Sequence, residues 1–157
     1  MYDARQIANW FIRRAHRDKR VLTIVGVLKL TYIAHGQYLS KRGTPLFSNE
    51  IQAWRYGPVI MDVSKGFDRQ NQKMLKPLSG FSDVTDPSDN ELLEQVWVEY
   101  GQRPAEELSR LTHISGGPWD LARKIGGWYA RIPSELIKQY HDARAASAVT
   151  HATKELA

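Results

Sequence analysis

Ala4, Ile7, Ala8, Phe11, Ile12 and Ala15 recur at i, i+3, i+4, i+7 spacing with polar residues between them, which predicts an amphipathic helix over residues 4–17. Asp3 followed by Gln6 forms the capping-box pattern at its start. After Thr23, the residues Ile24, Val27, Leu28, Thr31, His35, Tyr38 and Leu39 share one broad face, while Leu30 and Ile33 lie off it. A helix apolar nearly all round belongs in the centre of a core, and Gly43 with Pro45 supplies its stop.

The helical period then breaks. Ile51 and Ala53 alternate with Gln52, Trp54 and Tyr56, which predicts a short strand, and Gly57-Pro58 is expected to open a further helix with Pro58 at its first position and Val59, Val63 and Phe67 buried. Residues 69–87 are polar, contain Pro77, Gly80 and Pro87, and read as a long connection with a short strand at Met74–Leu78. Ser88 and Glu91 are expected to box the start of a helix burying Leu92, Leu93, Val96 and Tyr100, with Gly101 as its stop. Pro104, Pro118 and Pro133 each begin another helix, the last spanning about 133–147. The expected fold is mainly α: one helical domain of about six helices over residues 1–150, with a strand or hairpin element near 49–56 and 73–84 and a frayed tail at 151–157.

At 157 residues, the chain has the size of one ordinary domain that can bury its own core. It has no cysteine, which excludes thiol nucleophiles, disulfides and Cys-built zinc sites. Its N-terminus lacks a basic region followed by an apolar one, and no apolar run is long enough to span a bilayer, so the protein is expected to be cytoplasmic and off the membrane. The net charge of +5 hides an asymmetry: residues 1–80 carry +9 and residues 81–157 carry −4. The densest basic run, Arg13-Arg14-Ala15-His16-Arg17-Asp18-Lys19-Arg20, could steer an acidic protein or a nucleic acid, or could simply complement the dipole at a helix end.

Catalytic signatures are missing. The chain has no phosphate-binding loop, dinucleotide fingerprint, nucleophile elbow or H-E-x-x-H motif, and its five histidines never pair at i, i+3 or i+4. His35 reads as a hydrogen-bonded core histidine and His113-Ile114-Ser115 as a hydrogen-bonded turn. The acidic residues fall in first turns and on polar faces. No catalytic residue, metal ligand, cofactor or small-molecule substrate is therefore expected. Five Trp and seven Tyr are an aromatic-rich complement. Trp54, Trp97, Trp119 and Trp128 each suit the edge of a helical core, but several on one surface would suit a partner.

One collinear series of blocks carries a resemblance. Ile7-Ala8-Asn9-Trp10-Phe11, the run from Leu28 to Leu39, Gly43-Thr44-Pro45-Leu46-Phe47, Ala53-Trp54-Arg55-Tyr56-Gly57-Pro58-Val59 and Thr112-His113 followed four residues later by Pro118-Trp119 resemble the Panacea domain of SocA-like antitoxins, over about residues 4–125. The resemblance implies a non-enzymatic protein that binds and neutralises a cognate toxin encoded beside it, and for the SocA type an adaptor that delivers the toxin to a ClpXP-type protease. The basic segment Arg13–Arg20 and the Ala-rich tail depart from the usual pattern. The candidate partner-binding residues are Trp54, Arg55, Tyr56 and Trp119, with Arg13 and Arg17 on the basic run. Ile51 and Ala53 are expected to pack inward beneath them. A nucleic-acid-binding regulator is the competing reading, against which stand the lack of a helix-turn-helix signature and of aromatics interleaved with the arginines.

Overall fold

A computed structural model describes residues 1–156, with side chains as far as Val149. The elements run α1 (Ala4–Arg17), α2 (Ile24–Arg42), β1 (Ile51–Trp54), β2 (Gly57–Ile60), α3 (Met61–Gly66), α4 (Pro87–Tyr100), α5 (Ala105–Thr112), α6 (Pro118–Gly126) and α7 (Ser134–Leu156). The fold is mainly α, with one antiparallel hairpin among the described residues.

α2 is the axis of the molecule. Twelve of its residues are buried, Lys29, Thr31 and His35 among them, and α1, α3, α4, α5, α7 and β2 all pack against it. Its ends follow the chain's local signals. The Thr23 hydroxyl accepts from the Gly26 N–H, and Gly43 closes the helix in the left-handed conformation (φ 75°) that glycine adopts without a Cβ penalty. α1 opens with the expected capping box of Asp3 and Gln6 and buries Ile7, Ala8, Phe11, Ile12 and Ala15 against α2.

The structure corrects four expectations. Gly57-Pro58 does not open a helix: it begins β2, whose register with β1 pairs Ile51 with Ile60 and Trp54 with Gly57 across the tight turn at Arg55-Tyr56. A proline is tolerated on an outer strand because its missing N–H is not needed there, and Gly57 has φ 116°, which a helix start does not use. The helix begins only at Met61 and buries Val63, with Phe67 buried just past its end. The second strand therefore lies at 57–60, and residues 73–84 form none. Their backbone is satisfied by side chains instead. Asn9, 1% exposed, accepts from the Leu78 N–H and donates to the Leu78 carbonyl, and the Gln70 amide brackets Lys76 in the same way.

α4 is capped by Asp86, which accepts from the Asp89 N–H with Pro87 at the first position, while the Ser88 hydroxyl accepts from Arg42. Seven helices form among the described residues, where about six were expected. α7 continues to Leu156 rather than stopping near 147. The side chains of the expected tail, 151–157, lie outside the described residues.

Candidate partner interface

The hairpin is backed on both sides. β2 rests on α2 and α5: the Lys29 ammonium, 3% exposed, donates to the Pro58 carbonyl at 3.0 Å, and the Ser109 hydroxyl donates to the Tyr56 carbonyl at 2.6 Å. Burial pushes the Lys29 amine down to about 8. A Cβ at Gly57 would lie 2.9 Å from that ammonium, so the close approach of hairpin and α2 depends on glycine as well as on its φ. On its other edge, β1 takes a segment that pattern reading missed. The Ala53 and Ile132 N–H groups donate to Ala130 and Ile51, and the Tyr129 N–H donates to Ala53, all at 2.8 Å. β1 is thus the centre of a three-stranded arrangement completed by residues 129–132.

This closure gathers aromatic rings from three places in the sequence. Trp119, at the first turn of α6 and 9% exposed, donates its indole N–H to the Trp54 carbonyl at 2.6 Å. Its ring meets His113 edge-on and lies 6.3 Å from Trp128. The Arg123 guanidinium sits over both Trp119 and Trp128. Tyr129 meets Trp54 edge-on at 5.2 Å, and Trp54 donates to the Gln52 amide oxygen. Asp120 anchors the start of α6. It accepts from the Gly116 N–H and pairs with Lys124 and Arg123, and these contacts hold its carboxyl down at about 2.

The outer side of this framework is exposed. Tyr56 is 71% exposed, Tyr129 61%, Trp128 53% and Ile125 84%, with Arg55 lying over the Tyr56 ring. Tyr129 also holds a left-handed backbone (φ 67°), costing on the order of 1–3 kcal/mol for a residue with a Cβ. The sequence-predicted residues Trp54, Arg55, Tyr56 and Trp119 are therefore brought together, and Ile51 and Ala53 pack beneath them as expected. Trp119 supports this surface from below, and its outer face belongs to Ile125, Trp128 and Tyr129. The available signal for that addition was Gly126-Gly127 placed directly before Trp128-Tyr129, which repeats the pairing of glycine with large aromatics at Tyr56-Gly57.

Arg13 and Arg17 are not part of it. They lie on α1, whose cations are largely neutralised: Arg13 pairs with Asp83 at 2.9 Å, Arg17 approaches Asp18 at 3.5 Å, and Arg14 forms a two-pronged pair with Glu94 and also binds Asp18. Around this network Trp10 donates to Asn90, Trp97 to Asp18 and Tyr2 to Asp89, so the basic run fastens α1 to α4. Trp97, 2% exposed, is a core residue rather than an edge.

His35 stacks on Phe47 at 4.2 Å and burial pushes it down to about 4, so it is a neutral core histidine, held by ring packing rather than by the expected hydrogen bond, since its buried Nδ1 has no partner among the described residues. Among the described residues no group of three histidines or carboxylates could hold a metal ion, and no helix is long and apolar enough to cross a membrane.

Comparison with known proteins meets this geometry in the same stretch of chain. The family described as "Antitoxin SocA-like, Panacea domain" matches residues 27–120, from α2 through the hairpin to the first turn of α6. Antitoxin SocA of Caulobacter vibrioides (strain NA1000 / CB15N) is 32% identical over 151 residues, covering 87% of this chain and 80% of that protein. No solved structure matches. The chain belongs to the SocA-like antitoxin family that carries the Panacea domain.

Proposed function

We propose that residues 1–150 form one non-catalytic binding domain that neutralises a cognate toxin in the cytoplasm by direct contact through the aromatic edge of the hairpin, α6 and residues 128–129. The observation that carries this reading is the exposure of Tyr56, Tyr129, Trp128 and Ile125 on a base made rigid by Trp119, Lys29 and the 129–132 pairing. Aromatic anchors on a preorganised support are the residues that dominate protein–protein binding energy, and exposed apolar clusters on a folded domain mark such surfaces. Against the competing nucleic-acid reading stands the pairing of Arg13, Arg14 and Arg17 with carboxylates of the protein itself, which lowers the net charge of the basic run.

The experiment expresses each neighbouring open reading frame with and without this protein. One of them is lethal alone and harmless in its presence, and a Trp128→Ala/Tyr129→Gly variant that still melts cooperatively gives no protection. Protection unchanged by that variant would refute the aromatic edge as the contact. Following the toxin's half-life with and without a ClpXP-type protease then separates steric blocking from delivery to the protease, the adaptor role that the family resemblance implies.

A further inference from the structure

The largest cavity described, about 420 Å³, lies between α7 on one side and the end of α4 with α5 on the other, above α2. This volume falls within the range that encloses small organic ligands. Its walls are aromatic, with Tyr32 from α2, Tyr100 from α4 and Tyr140 from α7 all facing the cavity. Tyr32 is 3% exposed, yet its hydroxyl makes no hydrogen bond among the described residues. The hydroxyl is not among the atoms sealed away without a partner, so it opens to the cavity as an unpaired donor and acceptor that a bound group can meet. His141 lines the same space and likewise has no hydrogen-bond partner there. It reaches this position because Gly36 has no side chain: a Cβ at 36 would overlap the imidazole. Burial, followed by the charge of Arg144, pushes His141 down to about 4, so it is neutral near pH 7 and offers both a donor and an acceptor.

The rim is charged. Arg144, Arg103 and Lys41 stand around it against one carboxylate, Glu99. Arg103 is engaged by Glu107 at 3.6 Å, but Arg144 donates only to the Tyr140 hydroxyl and Lys41 only to the Gln95 amide oxygen among the described residues. The chemistry is therefore layered: neutral donors and an acceptor at the floor, aromatic faces between, and cations at the mouth.

We propose that this cleft binds a small heteroaromatic anion of nucleotide size, with the polar edge of its ring at Tyr32 and His141 and its phosphate or carboxylate at Arg144 and Lys41. Planar rings stack on tyrosine faces, and arginine meets a phosphate or carboxylate with paired donors. The inference is independent of the toxin-binding reading, because none of Tyr56, Trp128 and Tyr129 lines the cleft.

The test is calorimetric titration of the full chain with AMP, GMP, CMP and UMP, and separately with orotate, which supplies a heteroaromatic ring and carboxylate without a phosphate. Inorganic phosphate and adenosine serve as half-ligand controls. The expected result is saturable 1:1 binding of at least one mononucleotide or of orotate, tighter than either half-ligand. Tyr32→Phe keeps the ring and is expected to weaken it about tenfold; Arg144→Gln, on an exposed position, is expected to weaken it by a similar factor and to flatten its salt dependence. Binding indifferent to both substitutions, or no binding of any of these probes at about 1 mM, overturns the proposal. An acidic peptide that occupies the cleft while every small anion fails overturns it as well.

Discussion

The basic face of α1 and the aromatic edge around the hairpin are the two regions whose composition first suggested a partner, and the structure treats them oppositely. On α1 each of Arg13, Arg14 and Arg17 meets a carboxylate of the protein itself, and Trp10 and Trp97 lend their indole N–H groups to the same α1–α4 junction. At the hairpin the polar backbone is satisfied internally, by Lys29, Ser109 and residues 129–132, and the side chains that remain outside are aromatic. A run of charge is thus spent holding two helices together, whereas a set of scattered aromatics is assembled into a surface. Charge density along a sequence says little about charge available to a partner, because carboxylates distant in sequence can neutralise it.

The largest expected effect breaks the support of the aromatic edge. Trp119→Ala removes a ring that is 9% exposed and its hydrogen bond to Trp54, and should cost about 3–5 kcal/mol in a urea unfolding titration. Tyr129→Gly separates surface from support: the left-handed backbone is relieved while the ring is lost, so stability should change by less than about 1 kcal/mol while toxin affinity falls by about 2 kcal/mol or more in a binding titration.

The core common to both regions has its own signature. His35 is held at about 4 against an ordinary value near 6.5, so the unfolded chain binds the extra proton, and stability present above pH 6.5 is lost as pH falls towards 4. His35 should contribute about 2 kcal/mol of that loss between pH 7 and pH 5, His141, also held at about 4, adding its own share, and His35→Phe, stacking on Phe47 as the imidazole does, should remove the His35 share alone.

On the basic face, Arg14→Ala should cost about 1–2 kcal/mol in the same unfolding titration, since it strips Glu94 of its partner and leaves Asp18 with Trp97 and Arg17. Arg17→Ala should change stability by less than about 0.5 kcal/mol and leave toxin affinity where it was. A loss of affinity with Arg17→Ala would return the basic run to the interface and reverse the comparison.

Much of this molecule is determined by short-range chemistry that the sequence displays openly. The 3.6-residue period of α1, the apolar circumference of α2, the capping box at Asp3 and Gln6 and the left-handed stop at Gly43 each depend on residues within a turn or two of one another, so the local pattern and the final structure agree. Pro118 at the first turn of α6 was legible for the same reason. Gly57-Pro58 was not: a proline after glycine suits either a helix start or an outer strand, and the choice falls to contacts far along the chain, the Lys29 ammonium on the Pro58 carbonyl and β1 drawn between β2 and residues 129–132. Asn9 likewise replaces a strand at Leu78 with two side-chain hydrogen bonds across 69 positions. The aromatic edge has the same origin. Trp54, Trp119 and the adjacent pair Trp128-Tyr129 come from three separate stretches of the sequence, and backbone pairing between distant segments, which no local period encodes, brings them together while Arg13 and Arg17 are drawn to carboxylates elsewhere.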